Sequence, residues 1–335
     1  MRPWYAPERL AHRLDRLLVA FDARDAHRPP LRGWGRYAAE LERALPAFVD
    51  LRAIREGGAG PEAVFEQLRL PRLLRRLKPD VVHVPNCFLP LRRPCPGVVT
   101  VHDLAFEEHP EDFSRRTRLK YRAITPLAVR SAERVICVSR FTAQDVCERY
   151  RVPAGKVRVV PNAPSLPLGS FPVPGGEPYI VAVGDLRPKK NLDRLVAAWR
   201  GLGTGHRLVV AGLGQGGWPD VETPGYLPDE RLDALLRGAA LVVHPSLYEG
   251  FGIAVAEAMA RGVPVACARA TALPELAEGA AELFDPRDVD DIGAAMLRAL
   301  GRGAELGRLG RERVAGLSWE RTARETAAVY AELAG

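Results

Sequence analysis

Long apolar runs are missing from this 335-residue chain. None approaches the ~18–20 residues that a bilayer-crossing helix requires. The opening stretch MRPWYAPERLAHRLDRLLVA is charged throughout, unlike the apolar centre of a secretory leader. Both absences predict a cytoplasmic protein with neither anchor nor signal. Paired cysteines are missing too. Cys87, Cys95, Cys137, Cys147 and Cys267 are scattered, odd in number and without C-x-x-C spacing. That excludes a zinc or dithiol site and predicts reduced, buried thiols. Aromatic stacking motifs and a basic recognition element are also lacking, so nucleic acid is not an expected partner.

What is present is a soluble composition, 47% apolar and 27% charged, on a chain long enough for two domains that each bury a core. Charge is unevenly spread. Residues 1–175 hold 30 Lys and Arg against 19 Asp and Glu, and residues 176–335 hold 18 against 22. A basic half suits something anionic, such as lipid head groups or a phosphate-bearing acceptor; a bias of composition toward arginine gives the same count.

Short apolar runs alternate with longer amphipathic ones. In the first half the strand candidates are 16–23, 80–85, 97–103, 134–139 and 156–162, with helices at 36–46, 62–78, 114–132 and 141–150, the last capped by Ser139. APSLPLGSFPVPGGEP (163–178), with five prolines and three glycines, reads as a linker. Strands then recur at 179–185, 207–212, 241–246, 264–268 and 281–285, with helices at 191–200, 229–238, 252–261, 288–300 and 304–315. A helix over 318–334 with Ser318 as its cap ends the chain. The alternation predicts an α/β protein of two Rossmann-like domains with parallel sheets, residues 1–170 and 171–317, followed by a terminal helix, 318–335. Ligands of such folds bind at the carboxyl ends of the strands, here facing a central cleft.

Two tempting motifs dissolve on inspection. GLGQGG (212–217) has dinucleotide-loop spacing, but Trp218-Pro219-Asp220 follows where a helix must begin. Asp288-Val289-Asp290 looks like a metal-binding pair yet opens a helix, where acidic residues cap amides. No metal site is expected.

HPSLYEGFGIAVAEAMARGVPV (244–265) is different. Glu249 and Glu257 bracket Gly250 and Gly252 at the mouth of an apolar helix. Glycine lets a ligand approach the backbone closely, and a helix start offers free amides to an anion or to hydroxyls. Eight residues of helix span at most ~12 Å, about the reach from a sugar across a diphosphate to a ribose. A carboxylate at each end can accept from the two vicinal diols. GDLRPKKNLDRL (184–195) sets Arg187, Lys189 and Lys190 before another helix, and Lys190 is best placed to neutralise a diphosphate. LRGWGRYAAEL (31–41) predicts a flexible loop at Gly33 and Gly35 with a helix from Arg36. TVHDL (100–104) puts His102 at a strand's carboxyl end, where it would meet an acceptor.

These residues resemble the retaining nucleotide-sugar glycosyltransferases of the GT-B fold, the group that includes mannosyltransferases of surface-polysaccharide assembly. EGFGIAVAE is similar to that family's E-x7-E signature, GDLRPKKN to its donor-phosphate loop, GYLPDERL (225–232) to its base-side turn, and VVTVHDL, VICVSRFT and VVPNAP to its N-domain blocks. SWERTA resembles the start of its closing helix, which crosses back to the N-terminal domain. The resemblance implies an acceptor-binding first domain and a donor-binding second. It puts Glu249 on the donor sugar, Glu257 on the ribose, and amides of Phe251, Gly252 and Ile253 on sugar and phosphate. Lys190, with Arg187, would hold the diphosphate, Leu227 the base, and Gly35 would close over the phosphates. His102 would sit beside sugar and acceptor. Two positions depart from the pattern: Asp185 stands where many relatives carry arginine, and Ala254 where many carry proline. Residues 1–15 have no counterpart.

The implied reaction is transfer with retention, without a metal or other cofactor, from GDP-mannose as first candidate donor to a glycan or lipid-linked acceptor. A UDP- or dTDP-sugar, or a catalytically silent binding subunit, are the alternatives. QLRLPRLLRRLK (67–78) can form a basic amphipathic helix from Leu73 onward, with Pro71 limiting its start. With the cluster Arg115, Arg116, Arg118, Lys120 and Arg122 it predicts peripheral contact with an anionic membrane at its inner face.

Overall fold

The computed structural model describes residues 17–29, 31, 33–214 and 216–334; residues 1–15, for which no counterpart was expected, lie outside them. The chain divides into two compact units. The first comprises Met1–Phe106, Arg115–Asn162 and Ser318–Gly335, the second Glu107–Ser114 and Ala163–Leu317.

The first unit is built on six strands: β1 (Leu18–Asp22), β2 (Asp50–Ile54), β3 (Val81–Val84), β4 (Gly97–Val101), β5 (Arg134–Cys137) and β6 (Val157–Val159). They pair in parallel in the order β2-β1-β3-β4-β5-β6. β3 and β4 are buried along their whole length, as parallel strands covered on both faces must be, and hence their runs of valine. β2 was not expected. It is an edge strand of sequence DLRAI with exposed Asp50 and Arg52, so it lacks the apolar run by which its neighbours are recognised. The longer helices that accompany these strands are, in order, α1 (Gly33–Ala44), α2 (Leu70–Leu77), α3 (Arg115–Ser131) and α4 (Arg140–Tyr150). Ser139 caps α4, its hydroxyl 3.0 Å from the Thr142 amide. Pro71 does not limit the start of α2 as expected. The chain is helical from Glu62, and a π-wound stretch, Phe65–Arg69, precedes Leu70. Wider winding removes the i−4 clash and the missing donor that a proline imposes.

The terminal helix Trp319–Ala331 belongs to this unit. Ser318 caps it, 3.1 Å from the Arg321 amide. The Tyr330 hydroxyl lies 2.6 Å from Nδ1 of the fully buried His83, whose Nε2 is 2.8 Å from Thr100 Oγ1. Burial holds the His83 imidazole down at about 3. Glu332 accepts from Arg134 at 2.7 Å and Arg158 at 2.6 Å.

The second unit repeats the plan with β7 (Tyr179–Val183), β8 (Arg207–Ala211), β9 (Glu222–Gly225), β10 (Leu241–His244), β11 (Val265–Ala268) and β12 (Glu282–Phe284). Its parallel order is β12-β11-β10-β7-β8-β9. The chain therefore leaves β7 in one direction and later returns on its other side at β10, a topological switch point between those two strands. β9 (ETPG) was missed because it is a largely exposed edge strand containing proline and glycine. Its helices are α5 (Leu192–Gly201), α6 (Asp229–Arg237), α7 (Ile253–Ala260), α8 (Leu273–Ala277), α9 (Val289–Gly301) and α10 (Gly303–Val314).

No helix follows GLGQGG; the next element is β9. Gly212 is there for closeness, since a Cβ would lie 2.0 Å from the Gly184 carbonyl oxygen. Asp288 caps α9, accepting from the amides of Asp290 and Asp291 at 2.9 and 3.2 Å. Among the described residues no group of three or more His, Cys, Asp or Glu is placed to hold an ion, and no helix is long and apolar enough to cross a membrane. All five cysteines are free; Cys87, Cys137 and Cys267 are buried, Cys95 and Cys147 partly so.

Candidate active site

The loops after β7 and β10 meet at the switch point of the second sheet. After β7, a tight turn over Pro188–Lys190 ends at Asn191, whose φ is +54°, a conformation asparagine tolerates better than most residues. Asn191 Nδ2 donates to the carbonyls of Pro245 at 3.1 Å and Pro286 at 2.6 Å, so the β7 loop is tied to the β10 loop. That tie delivers Lys190 to Glu249. The ammonium Nζ lies 2.5 Å from Glu249 Oε1, and both side chains are largely buried.

A third member was not anticipated. His244, the last residue of β10 and 2% exposed, places Nε2 2.9 Å from the same Oε1. The only trace of it in the sequence is a histidine ending an apolar strand run, VVH, just before the loop that carries Glu249. Burial by itself would raise the Glu249 carboxyl. The Lys190 charge, the His244 hydrogen bond and the nearby Lys189 overcome it and hold the group well below the usual carboxylate range. The His244 ring is pushed down by burial and by both lysines, against the pull of Glu249.

The Glu249 backbone is fixed as well. Its amide donates to Thr271 Oγ1 at 2.9 Å, and its carbonyl accepts from the Ala272 amide at 3.3 Å. Thr271 has φ +52°, a strained setting for a β-branched residue and one that its sequence neighbours do not announce. Beyond Glu249, Gly252 caps α7 with φ +98°. The positive φ favours glycine, and a Cβ there would also come within 2.7 Å of Leu273 Cδ2, whose side chain would have to shift. The helix behind it leaves the first amides, those of Gly252 and Ile253, without intrahelical partners; Phe251 is buried beside them.

Glu257 does something other than flank this opening. It is 3% exposed within α7. Its Oε1 accepts from the Ser165 amide at 2.5 Å, the Ser165 hydroxyl at 3.2 Å and the Leu166 amide at 2.9 Å. Its Oε2 accepts from Arg261 Nη1 at 2.8 Å, and Arg261 in turn pairs with the fully buried Asp233. The carboxylate anchors the start of the proline-rich segment.

Arg187 is 40% exposed at its side chain, 3.6 Å from Asp185. Asp185 also accepts from the Leu213 amide at 3.3 Å, so the residue replacing the family's arginine ties two loops together. Leu227 is half-buried just before α6.

In the first unit, Gly33 and Gly35 do not form the expected flexible loop. Both are helical, in the first turn of α1. A Cβ at Gly35 would approach the Asp25 carbonyl oxygen to 2.7 Å; the glycine serves close packing of α1 on the Arg24–His27 turn. His102 follows β4 as expected. Its Nε2 lies 2.9 Å from the Pro85 carbonyl, so that nitrogen carries the hydrogen and Nδ1 is the bare one. Tyr37 meets the ring edge-on at 4.6 Å between centroids, and Trp34 stacks at 6.0 Å. Burial lowers its pKa to about 4, so the ring is neutral near pH 7.

Known proteins carry the same arrangement of elements. Residues 169–312 match the family described as "Glycosyl transferases group 1", and residues 8–164 match "Glycosyltransferase Family 4", so the family match begins inside the stretch 1–15 for which no counterpart was expected. The chain is 32% identical to O-antigen chain mannosyltransferase B of Escherichia coli, over 68% of this chain and 67% of that one. It is 33% identical to MMP alpha-(1->4)-mannosyltransferase of Mycolicibacterium hassiacum, over 60% of this chain and 54% of the other. The matched region thus spans about two thirds of the first relative and about half of the second. In fold, sucrose-phosphate synthase from Thermosynechococcus elongatus superposes with a TM-score of 0.76 at 22% identity, covering 95% of this chain and 99% of that one. WaaG, a glycosyltransferase involved in lipopolysaccharide biosynthesis, does so at 0.70 and 15% identity, covering 93% and 99%. With two family matches that together run from residue 8 to residue 312 and a relative above 30% identity over two thirds of its length, this chain belongs to the GT-B-fold glycosyltransferases.

Proposed function

We propose that the protein is a retaining hexosyltransferase that moves a sugar, mannose as first candidate, from a nucleoside-diphosphate sugar to a glycan or lipid-linked acceptor in surface-polysaccharide assembly. The observation that carries this is the Lys190–Glu249 pair at the switch point of the second sheet, beside a helix start opened by Gly252. The names of the two relatives favour mannose as the sugar moved, and GDP-mannose is the first candidate donor.

In this reading the bond from the anomeric carbon to the diphosphate breaks while negative charge grows on the departing phosphate. Lys190, supported by Arg187 and the first amides of α7, stabilises that charge as fixed donors do, with no obligatory metal. Glu249 holds the donor sugar's hydroxyls, and the amides of Phe251, Gly252 and Ile253 reach sugar and phosphate. The acceptor oxygen attaches on the face the leaving group vacates, and its proton passes to the phosphate oxygen. His102, neutral and with Nδ1 bare, receives a hydrogen bond from sugar or acceptor. Leu227 lies against the base. Ribose hydroxyls reach Glu257 by replacing the Ser165 hydroxyl, whose 3.2 Å bond is the longest of its four.

Peripheral contact with an anionic membrane at the cytoplasmic face completes the proposal. Arg72, Arg75, Arg76 and Lys78 are exposed on and just after α2, whereas Lys120 of the second basic cluster is drawn to Glu62 and Glu66 at 3.0 and 3.2 Å.

A thermal-shift panel of GDP, UDP, dTDP and ADP, followed by nucleotide release from the matching sugar donor, tests the function. A shift with GDP and release from GDP-mannose are expected. A shift with UDP or dTDP alone would change the donor, and stabilisation by a nucleotide without turnover would leave a binding subunit.

A further inference from the structure

We infer that His244 is the positioning residue of the donor site: it holds Glu249 oriented and ionised while Lys190 serves the diphosphate. The inference rests on the nucleotide-sugar reading above and adds a residue with no place in it. Three observations carry it. His244 is 2% exposed, yet its Nε2 is aimed at the same carboxylate oxygen that Lys190 contacts, at 2.9 Å against 2.5 Å. A carboxylate only accepts, so Nε2 carries the hydrogen; burial and the two lysines favour the neutral ring, against the pull of Glu249. Both donors converge on Oε1, and Oε2 has no partner among the described residues. The residue therefore has one anchored oxygen and one open to a ligand.

Lys190 cannot be the permanent anchor. Its stem is flexible and its charge is the one nearest to where a diphosphate would sit, so a bound donor draws it from Oε1 or shares it. His244 is fixed by the backbone of β10, its ring has no such alternative, and Ser246 Oγ lies 3.2 Å from the same nitrogen. The charged and titratable groups facing the pair are Lys190 and Lys189 from the loop after β7; Ser246 and Thr271 contribute neutral hydroxyls. Without the His244 donor, Glu249 binds its proton more readily whenever Lys190 is engaged elsewhere, so the acid limb of activity moves to higher pH.

The test uses the full chain with His244→Phe and His244→Gln, since the glutamine amide can replace the Nε2–H donor and phenylalanine cannot. With GDP-mannose as probe and nucleotide release as readout, His244→Phe is expected to lose about tenfold or more in kcat. GDP binding should be unchanged, and the acid limb should shift upward by about one pH unit. His244→Gln should return to within about threefold of the parent. Imidazole nitrogen NMR of the parent provides a readout independent of turnover. It should find the His244 ring neutral, hydrogen on Nε2, from pH 8 to pH 5, with resonances that move in Glu249→Gln. If no sugar donor is turned over, the function reading fails and the NMR result alone decides the pairing. A parental kcat and pH profile in His244→Phe, or a His244 ring that is charged or indifferent to Glu249→Gln, overturns the inference.

Discussion

Lys190 has two calls on its charge, the Glu249 carboxylate and, in the proposed reaction, a departing diphosphate. Its removal should therefore do more than weaken binding. Lys190→Ala is expected to lower turnover by roughly 10²–10³, the effect of deleting one fixed donor to developing negative charge. Glu249→Ala should lower kcat more than it raises KM, and near-parental kcat would remove Glu249 from the sugar. Activity should persist in EDTA; abolition by chelator with rescue by Mg²⁺ would point back to Asp288 and Asp290. Acid should weaken the fold through one buried histidine. His83 is buried and neutral, its pKa lowered to about 3 by burial. Below the unfolded value of ~6.5 the unfolded chain binds a proton that the folded chain refuses. Stability is thus fully present above that pH and is lost as pH falls through the window between the two values, by about 1.4 kcal/mol per pH unit for this one group. Denaturant midpoints of the parent and His83→Gln, compared from pH 7 to pH 5, check the slope; the variant should show a shallower one.

At the scale of elements, α7 joins two tasks. Its N-terminus opens the candidate site, and its middle turn carries Glu257, which with Arg261 and Asp233 pins residues 165–166 to the second unit. Both members of the Arg261–Glu257 pair are almost wholly buried, so removing one strands the other. Glu257→Ala should cost about 3–5 kcal/mol, a fall of roughly 6–20 °C in Tm for a domain of this size. Glu257→Gln should cost less, and a Tm within a degree or two of the parent for Glu257→Ala would contradict the anchoring role. The two spaced glutamates were legible in the sequence, and so were α7, its glycine cap and the loop with Lys190, because glycine, charge and apolar periodicity are local signals. The partner of Glu257 was not, since Ser165 lies 92 positions away. Edge strands β2 and β9 were illegible for a different reason: with one side open to water they need no apolar run. Pro71 misled because a proline's effect depends on the winding of the preceding turn, which the sequence does not display.

At the scale of the whole chain, the basic excess of residues 1–175 survives as exposed charge at α2 but is partly paired within the fold at Lys120. Co-sedimentation should therefore favour vesicles with anionic lipid at low salt. Replacing Arg72, Arg75, Arg76 and Lys78 by glutamine should abolish the preference, each cation near the surface contributing about 1 kcal/mol. Equal sedimentation with neutral vesicles would leave an enzyme that meets its acceptor without a membrane. The two-sheet plan was readable because alternating strands and helices admit few topologies, and the family resemblance because its motifs are contiguous. The convergence of His244 on Lys190 and Glu249 was not readable, because it depends on which two strands flank the switch point. In the proposed reaction Lys190 meets the diphosphate of the donor. Calorimetric titration of GDP and GMP into the parent and Lys190→Ala measures that contact directly. The parent should bind GDP at least tenfold more tightly than GMP, and Lys190→Ala should erase most of that difference while leaving GMP affinity unchanged. An undiminished preference for GDP in Lys190→Ala would contradict the account.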